Sequence, residues 1–134
     1  MSCNSGLYAE NSNTQAITAN TPTVISFGQI VRRFGCHCNL SGGNVSVQSS
    51  GFYDVDANFA LSAAAGLVTI QLYQNGVPVP GAYATFTAAA NTIYSVTIPA
   101  IVRNKCCCEE TLTAVITSVG AATITNAAIK VEKI

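Results

Sequence analysis

The sequence predicts an all-β sandwich or barrel. Apolar residues recur at every second position in one segment after another. Short, turn-rich connectors separate these segments at regular spacing, and no stretch has a convincing amphipathic-helix pattern. The chain has 134 residues, the length of one ordinary domain. At that size folding buries roughly two-thirds of the unfolded surface, so no cross-link is needed merely to fold.

Taken in order, the first candidate strands are Thr23–Val31 and Asn44–Gln48. GFYDVDANFAL follows, with Tyr53, Val55, Ala57, Phe59 and Leu61 on one parity and Asp54, Asp56 and Asn58 on the other. That is a strand with one face in a core. In LVTIQLY, Val68, Ile70 and Leu72 share a side, and in IYSVTIPAIV so do Tyr94, Val96, Ile98, Ala100 and Val102. Ala82–Ala88, Leu112–Val119 and Thr123–Ile134 complete the set, filled with the Thr, Val and Ile that strands favour. A helical alternative for FALSAAAGL lacks both a cap and a polar face.

SGG at 41–43, SSG at 49–51, PG at 80–81 and AAN at 89–91 supply turns. Asn75-Gly76 in QLYQNGVPVPG fits the two positive-φ positions of a type I′ hairpin turn. Pro78 and Pro80 then remove N–H groups from the same side of their strand, which predicts a sheet edge that cannot pair further.

Only 9% of residues are charged, against roughly 25% in typical soluble domains, and the net charge is zero. Such a surface suits close, repeated packing, because little charge keeps copies apart. With no basic stripe, nucleic acid is not an expected partner. The longest nearly apolar stretch, Phe59 to Ile70, is interrupted and too short to span a bilayer. MSCNSGLYAEN has no basic n-region and no apolar h-region, so synthesis and assembly in a cytoplasm is the expectation.

From Gly51 onward the chain resembles the tumour-necrosis-factor-like jelly rolls, through GFYDVDANFAL, LVTIQLYQNGVPVPG and TITNAAIKVEKI. More narrowly it is similar to the C-terminal heads of collagen-like glycoproteins on bacterial spore surfaces (the exosporium). GLYAEN followed by a Phe-containing strand, Val24–Ile30, fits the same pattern. The resemblance implies an antiparallel, ten-strand-type jelly-roll β-sandwich that assembles as a trimer with both termini at one end. Residues 15–134 would form the jelly roll and residues 1–14 an attachment or connector. There are two departures: no Gly-X-Y stalk precedes Gly6, and the cysteine groups lie outside the family pattern.

Cys36-His37-Cys38 falls in a connector between early strands, Cys106, Cys107 and Cys108 in one between late strands, and Cys3 near the start. In a reducing compartment such thiols point to metal, free thiols or late oxidation before a secreted disulfide framework. Three readings compete. Loop cysteines could cross-link subunits after assembly. His37 and several Cys could hold Zn²⁺ or Cu⁺, although C-x-C spacing is weaker evidence than paired C-x-x-C. Or the thiols could stay free, or pair within one chain.

Asp54, Asp56 and Asn58 share an outward face that, by the resemblance, contributes to the trimer contact. Three copies would gather six carboxylates near an axis, a repulsion that a Ca²⁺-like ion could relieve. The plainer reading is a solvated face, or pairing with Arg32 or Arg33. No cofactor is required by either reading. Catalysis has little basis: His37 is the single histidine, and no G-x-S-x-G, P-loop or H-E-x-x-H motif appears.

The expected function is therefore structural: a self-assembling trimeric subunit of a spore surface layer or appendage. One alternative is a bacteriophage decoration, head-fibre or tail-tip protein on the virion exterior. A second is a head that binds carbohydrate or a receptor. That one is weakened because only Tyr8, Tyr83 and Phe34 among the aromatics fall outside inward-facing positions.

Overall fold

Strict alternation dictates two sheets whose inner parities meet in one core. The computed structural model describes residues 5–105 and 108–134, and among these twelve strands form two six-stranded antiparallel sheets. The first half of the chain supplies β1 (Gly6–Asn11), β2 (Gln15–Ile17), β3 (Thr23–Ile25), β4 (Gln29–Phe34), β5 (Cys38–Ser41) and β6 (Asn44–Val47). The second half supplies the longer β7 (Gly51–Ala63), β8 (Gly66–Gln74), β9 (Val77–Ala88), β10 (Ile93–Asn104), β11 (Glu110–Ser118) and β12 (Ala122–Lys133). One sheet runs β10-β7-β12-β1-β4 with β2 also on β12, and the other runs β5-β6-β11-β8-β9 with β3 also on β11.

The expected inward residues form the core. Tyr53, Val55, Ala57, Phe59 and Leu61 are buried, as are Val68, Ile70 and Leu72 on the facing sheet and Val96, Ile98 and Val102 beside them. Phe27 and Phe59 stack at 5.9 Å between ring centroids across the sandwich. Tyr53 buries its ring and donates its hydroxyl proton to the Ser49 carbonyl at 2.7 Å, fixing the turn that enters β7. FALSAAAGL is strand, turn and strand rather than helix.

Thr23–Val31 is not one strand. β3 pairs with β11 in one sheet, β4 with β1 in the other, and the chain crosses between them at Ser26–Gly28. Gly28 makes the corner at φ +69, where an added Cβ would lie 2.7 Å from the Glu10 carbonyl oxygen. The inward parity of β12 also shifts. Register slips between Ile124 and Asn126, and Thr125 donates its hydroxyl to the Ala60 carbonyl at 3.0 Å. Inward positions therefore run Ile124, then Ala127, Ile129 and Val131.

Gly6–Asn11, within the segment read from sequence as a connector, is an interior strand between β12 and β4. The Lys133 N–H donates to the Ser5 carbonyl at 2.8 Å, so the two described ends lie side by side. The Asn75-Gly76 hairpin has the expected positive φ values, 50° and 79°. It joins β8 to β9, and β9 is an edge strand as the prolines implied. No helix among the described residues is long and apolar enough to cross a membrane.

Candidate functional site

Two regions collect the residues singled out by sequence. The first is the end of the sandwich where the β4–β5 and β10–β11 connectors meet. Cys38 opens β5 opposite Val47 of β6, and Val47 in turn lies opposite Glu110 of β11. That register places the two cysteine-bearing connectors at the same end, a proximity that long-range pairing alone decides. Asn104, buried at the end of β10, ties them together. Its amide donates to the Val47 carbonyl at 3.2 Å and to the Cys108 carbonyl at 2.9 Å.

The cysteines there differ in kind. Cys36 is an exposed thiol in the bend before β5, and Cys108 is also exposed. Cys38 is wholly buried and receives a hydrogen-bonding contact from Ser5. Burial pushes its thiol pKa above the ordinary 9.0, and the Ser5 contact and the charges of Arg33 and Lys133 only partly offset this. Ser5 itself is a local organiser. Its hydroxyl accepts from the His37 N–H at 2.9 Å and donates to the Phe34 carbonyl at 3.3 Å. Cys3, Cys106 and Cys107 lie outside the described residues.

Cys36 Sγ sits 3.8 Å from Nδ1 and 3.9 Å from Nε2 of His37. Nearly equal distances put the sulfur on the axis of neither nitrogen, so the two do not form an aligned thiol–imidazole pair. Among the described residues no three His, Cys, Asp or Glu side chains gather closely enough to share a metal ion.

The second region is the outward face of the β10-β7-β12-β1-β4 sheet. Cross-strand register arranges it in rows. One row runs Ile101, Asp54, Glu132, Gly6, Phe34, and the next runs Pro99, Asp56, Lys130, Tyr8, Arg32. Asp56 pairs with Lys130 at 3.2 Å, the partner being Lys130 rather than Arg32 or Arg33. The carboxylate of Asp56 accounts for most of the upward shift of the exposed Lys130 pKa. Asn58 accepts from the Thr97 hydroxyl at 3.4 Å.

Tyr8, Phe34, Phe52 and Ile101 are exposed on this face. Phe52, counted by sequence among the inward-facing aromatics, is exposed, because its parity is opposite to that of the buried Tyr53. Alternation alone would have found it. The Arg103 guanidinium lies 5.6 Å above the Phe52 ring, a cation–π contact at the β10 edge. The Phe34 ring covers Gly6, where an added Cβ would lie 2.5 Å from it. Tyr8, Phe34, Leu7 and Val131 line a groove of about 380 Å³ rimmed by Arg32, Lys130 and Glu132.

Gln74 was not singled out by sequence, and Asn75 was read there only for its turn backbone, not for its side-chain bonds. Both amides donate to the Glu110 carboxylate, at 3.0 and 3.3 Å, and Asn75 Oδ1 accepts from the Thr111 N–H at 2.8 Å. They fasten the type I′ turn to the start of β11, beside the cysteine-bearing end.

No protein-family model matches the chain, and no curated protein matches it. Solved structures do. "PRD1 vertex protein P5" superposes with a TM-score of 0.72 at 16% identity, covering 97% of this chain and 96% of that one. Murine APRIL at pH 5.0 superposes with a TM-score of 0.77 at 13% identity, covering 98% and 99%. Eiger TNF from S. frugiperda gives 0.66 at 12% identity, covering 98% and 91%. At such identities the likeness concerns the fold, and the fold is the tumour-necrosis-factor-like jelly roll.

Proposed function

We propose that this chain is a non-enzymatic structural subunit, assembled as a homotrimer on the exterior of a virion. The observation that carries this reading is the match to a vertex protein, which covers 97% of this chain and 96% of that one. The sparse charge and the exposed Tyr8, Phe34, Phe52 and Ile101 on one sheet face support self-assembly. The unaligned Cys36–His37 contact supports a non-catalytic role. Loop cysteines at the Asn104 end, with Cys36 exposed, would cross-link neighbouring subunits once the particle meets an oxidising medium.

A second reading places the same subunit on a spore surface. It is favoured by the likeness of GFYDVDANFAL and NGVPVPG to spore-surface heads. The separating experiment is peptide mass spectrometry with immunogold microscopy on gradient-purified virions and on purified spores of the producing strain. The virion reading expects the chain in stoichiometric amounts on particles. Its presence on spores alone favours the second reading, and its absence from both contradicts the structural role.

A further inference from the structure

Charge is distributed unevenly between the two sheets. The charged residues lie on strands of the β10-β7-β12-β1-β4 sheet, except Lys105, Glu109 and Glu110 at the cysteine-bearing end. Among the described residues the outward face of β8, β9 and β11 therefore carries no charge. Tyr83 and Gln71 stand abreast there, and Thr85, Thr69 and Thr117 form the next row. Leu67 and Val119 lie side by side beyond it, the Val119 N–H donating to the Leu67 carbonyl at 2.9 Å. Leu67, Tyr83 and Val119 are each about half exposed.

The polar groups in the middle of this face are already engaged. The Thr69 and Thr85 hydroxyls bond each other at 3.2 Å. The Gln71 amide turns into the β8–β9 bulge, 2.9 to 3.3 Å from the Leu72, Val79 and Ala82 carbonyls. Covering the face thus leaves few donors stranded, while it removes three half-exposed apolar side chains from water.

Resting on the trimer reading above, we infer that this face docks against the same face of a second copy, joining one trimer to the next across a two-fold axis. A two-fold contact sets a patch against itself, so any charge near the axis meets its own sign. A neutral patch escapes that repulsion, and two like twisted sheets pack face to face at about 30°. Three strands about 4.8 Å apart, used over about 20 Å of their length, give roughly 300 Å² in plan. That is small beside the roughly 800 Å² per partner of a stable pairwise complex. A single contact is therefore weak, but each trimer carries three, and contacts linked in this way reinforce one another. Three-fold particles joined across two-fold contacts build a layer or a closed shell.

Thr69 stands at the middle of the patch, where the axis sets it against its own counterpart. Thr69→Lys and Thr69→Glu each confront like charges, whereas a mixture of the two variants confronts opposite ones. Circular dichroism with thermal melting verifies that each variant folds. Sedimentation velocity in reductant, which excludes sulfur bridges, is run up to about 1 mM chain, where contacts with a Kd of that order are half populated. Wild type is expected as a trimer when dilute and as larger species, growing with concentration, at the top of the series. Either variant alone should need at least about tenfold more protein to pass beyond the trimer, and the mixture should regain the larger species. A wild type that stays trimeric throughout, variants that associate as wild type does, or a mixture no better than its parts overturns this contact and leaves the trimer standing. Dimers that form from monomers and are lost in Thr69→Lys overturn the trimer and keep the contact. A monomer at every concentration overturns both.

Discussion

The buried amide of Asn104 donates to the Val47 carbonyl at 3.2 Å, joining the end of β10 in one sheet to β6 in the other. The same amide reaches the Cys108 carbonyl at 2.9 Å, so one side chain holds the two cysteine-bearing connectors at a common end of the sandwich. Replacing it with alanine leaves buried carbonyls short of a donor. Asn104→Ala should lower unfolding free energy by about 1–3 kcal/mol, read from the urea midpoint at unchanged slope. An unaltered midpoint would mean that the amide does not bridge the sheets.

Cysteine chemistry should be sharply unequal. Cys36 should react with iodoacetamide in the native protein, whereas Cys38 should react only after denaturant opens the core. Equal native labelling rates at the two sites would refute the burial of Cys38.

Cys38 also carries a pH signature. The folded state holds its thiol neutral above the ordinary 9.0, while the unfolded chain ionises there. Unfolding therefore releases a proton in that window, and stability falls as pH rises. The contribution is complete below pH 9.0 and is lost as pH climbs through the raised folded value. Cys38→Ala should show a shallower alkaline loss than wild type, compared by denaturant midpoints from pH 7 upward. Parallel curves would show that this thiol titrates alike in both states.

At the hairpin, Asn75 and Gly76 sit at φ 50° and 79°. Gly76→Ala should cost about 1 kcal/mol or somewhat more through backbone strain alone. Asn75→Ala should cost more than that, because it also removes the bonds to Glu110 and Thr111. Thermal melts rank the two, and the opposite order would place the value of Asn75 in its backbone rather than its side chain.

Three of the four prolines lie on strands that end a sheet: Pro78 and Pro80 on β9, and Pro99 on β10. Restoring donors there should open the edges to pairing. The combined Pro78→Thr and Pro80→Thr variant should scatter more light with time at equal concentration while remaining folded. Scattering no greater than wild type would show that these edges are protected by other means.

The legible parts of this fold were those set by local pattern. Alternation in β7, β8 and β10 identified which side chains meet in the core, because period two is read directly from neighbours. The NG turn and its edge prolines were legible for the same reason. Where chain crosses between sheets, local pattern misleads. Thr23–Val31 looks continuous until Gly28 turns it from one sheet into the other, and the bulge at Thr125 reverses parity within β12. The meeting of the cysteine connectors depends on the row Cys38, Val47, Glu110, a pairing between residues far apart in sequence. Asn104 did leave a trace: it continues the inward parity of Val96, Ile98, Ala100 and Val102, so a polar residue at that position implies a buried partner.

The central claim is self-assembly of this jelly roll into a discrete trimer, and native mass spectrometry of freshly purified protein, in reductant and without it, tests it most directly. The account predicts one dominant species of three times the 13.8 kDa chain mass in both conditions, because packing rather than sulfur builds the trimer, with larger covalent multiples appearing only on oxidation. A 13.8 kDa monomer at every concentration, or a trimer that vanishes on reduction, would contradict it.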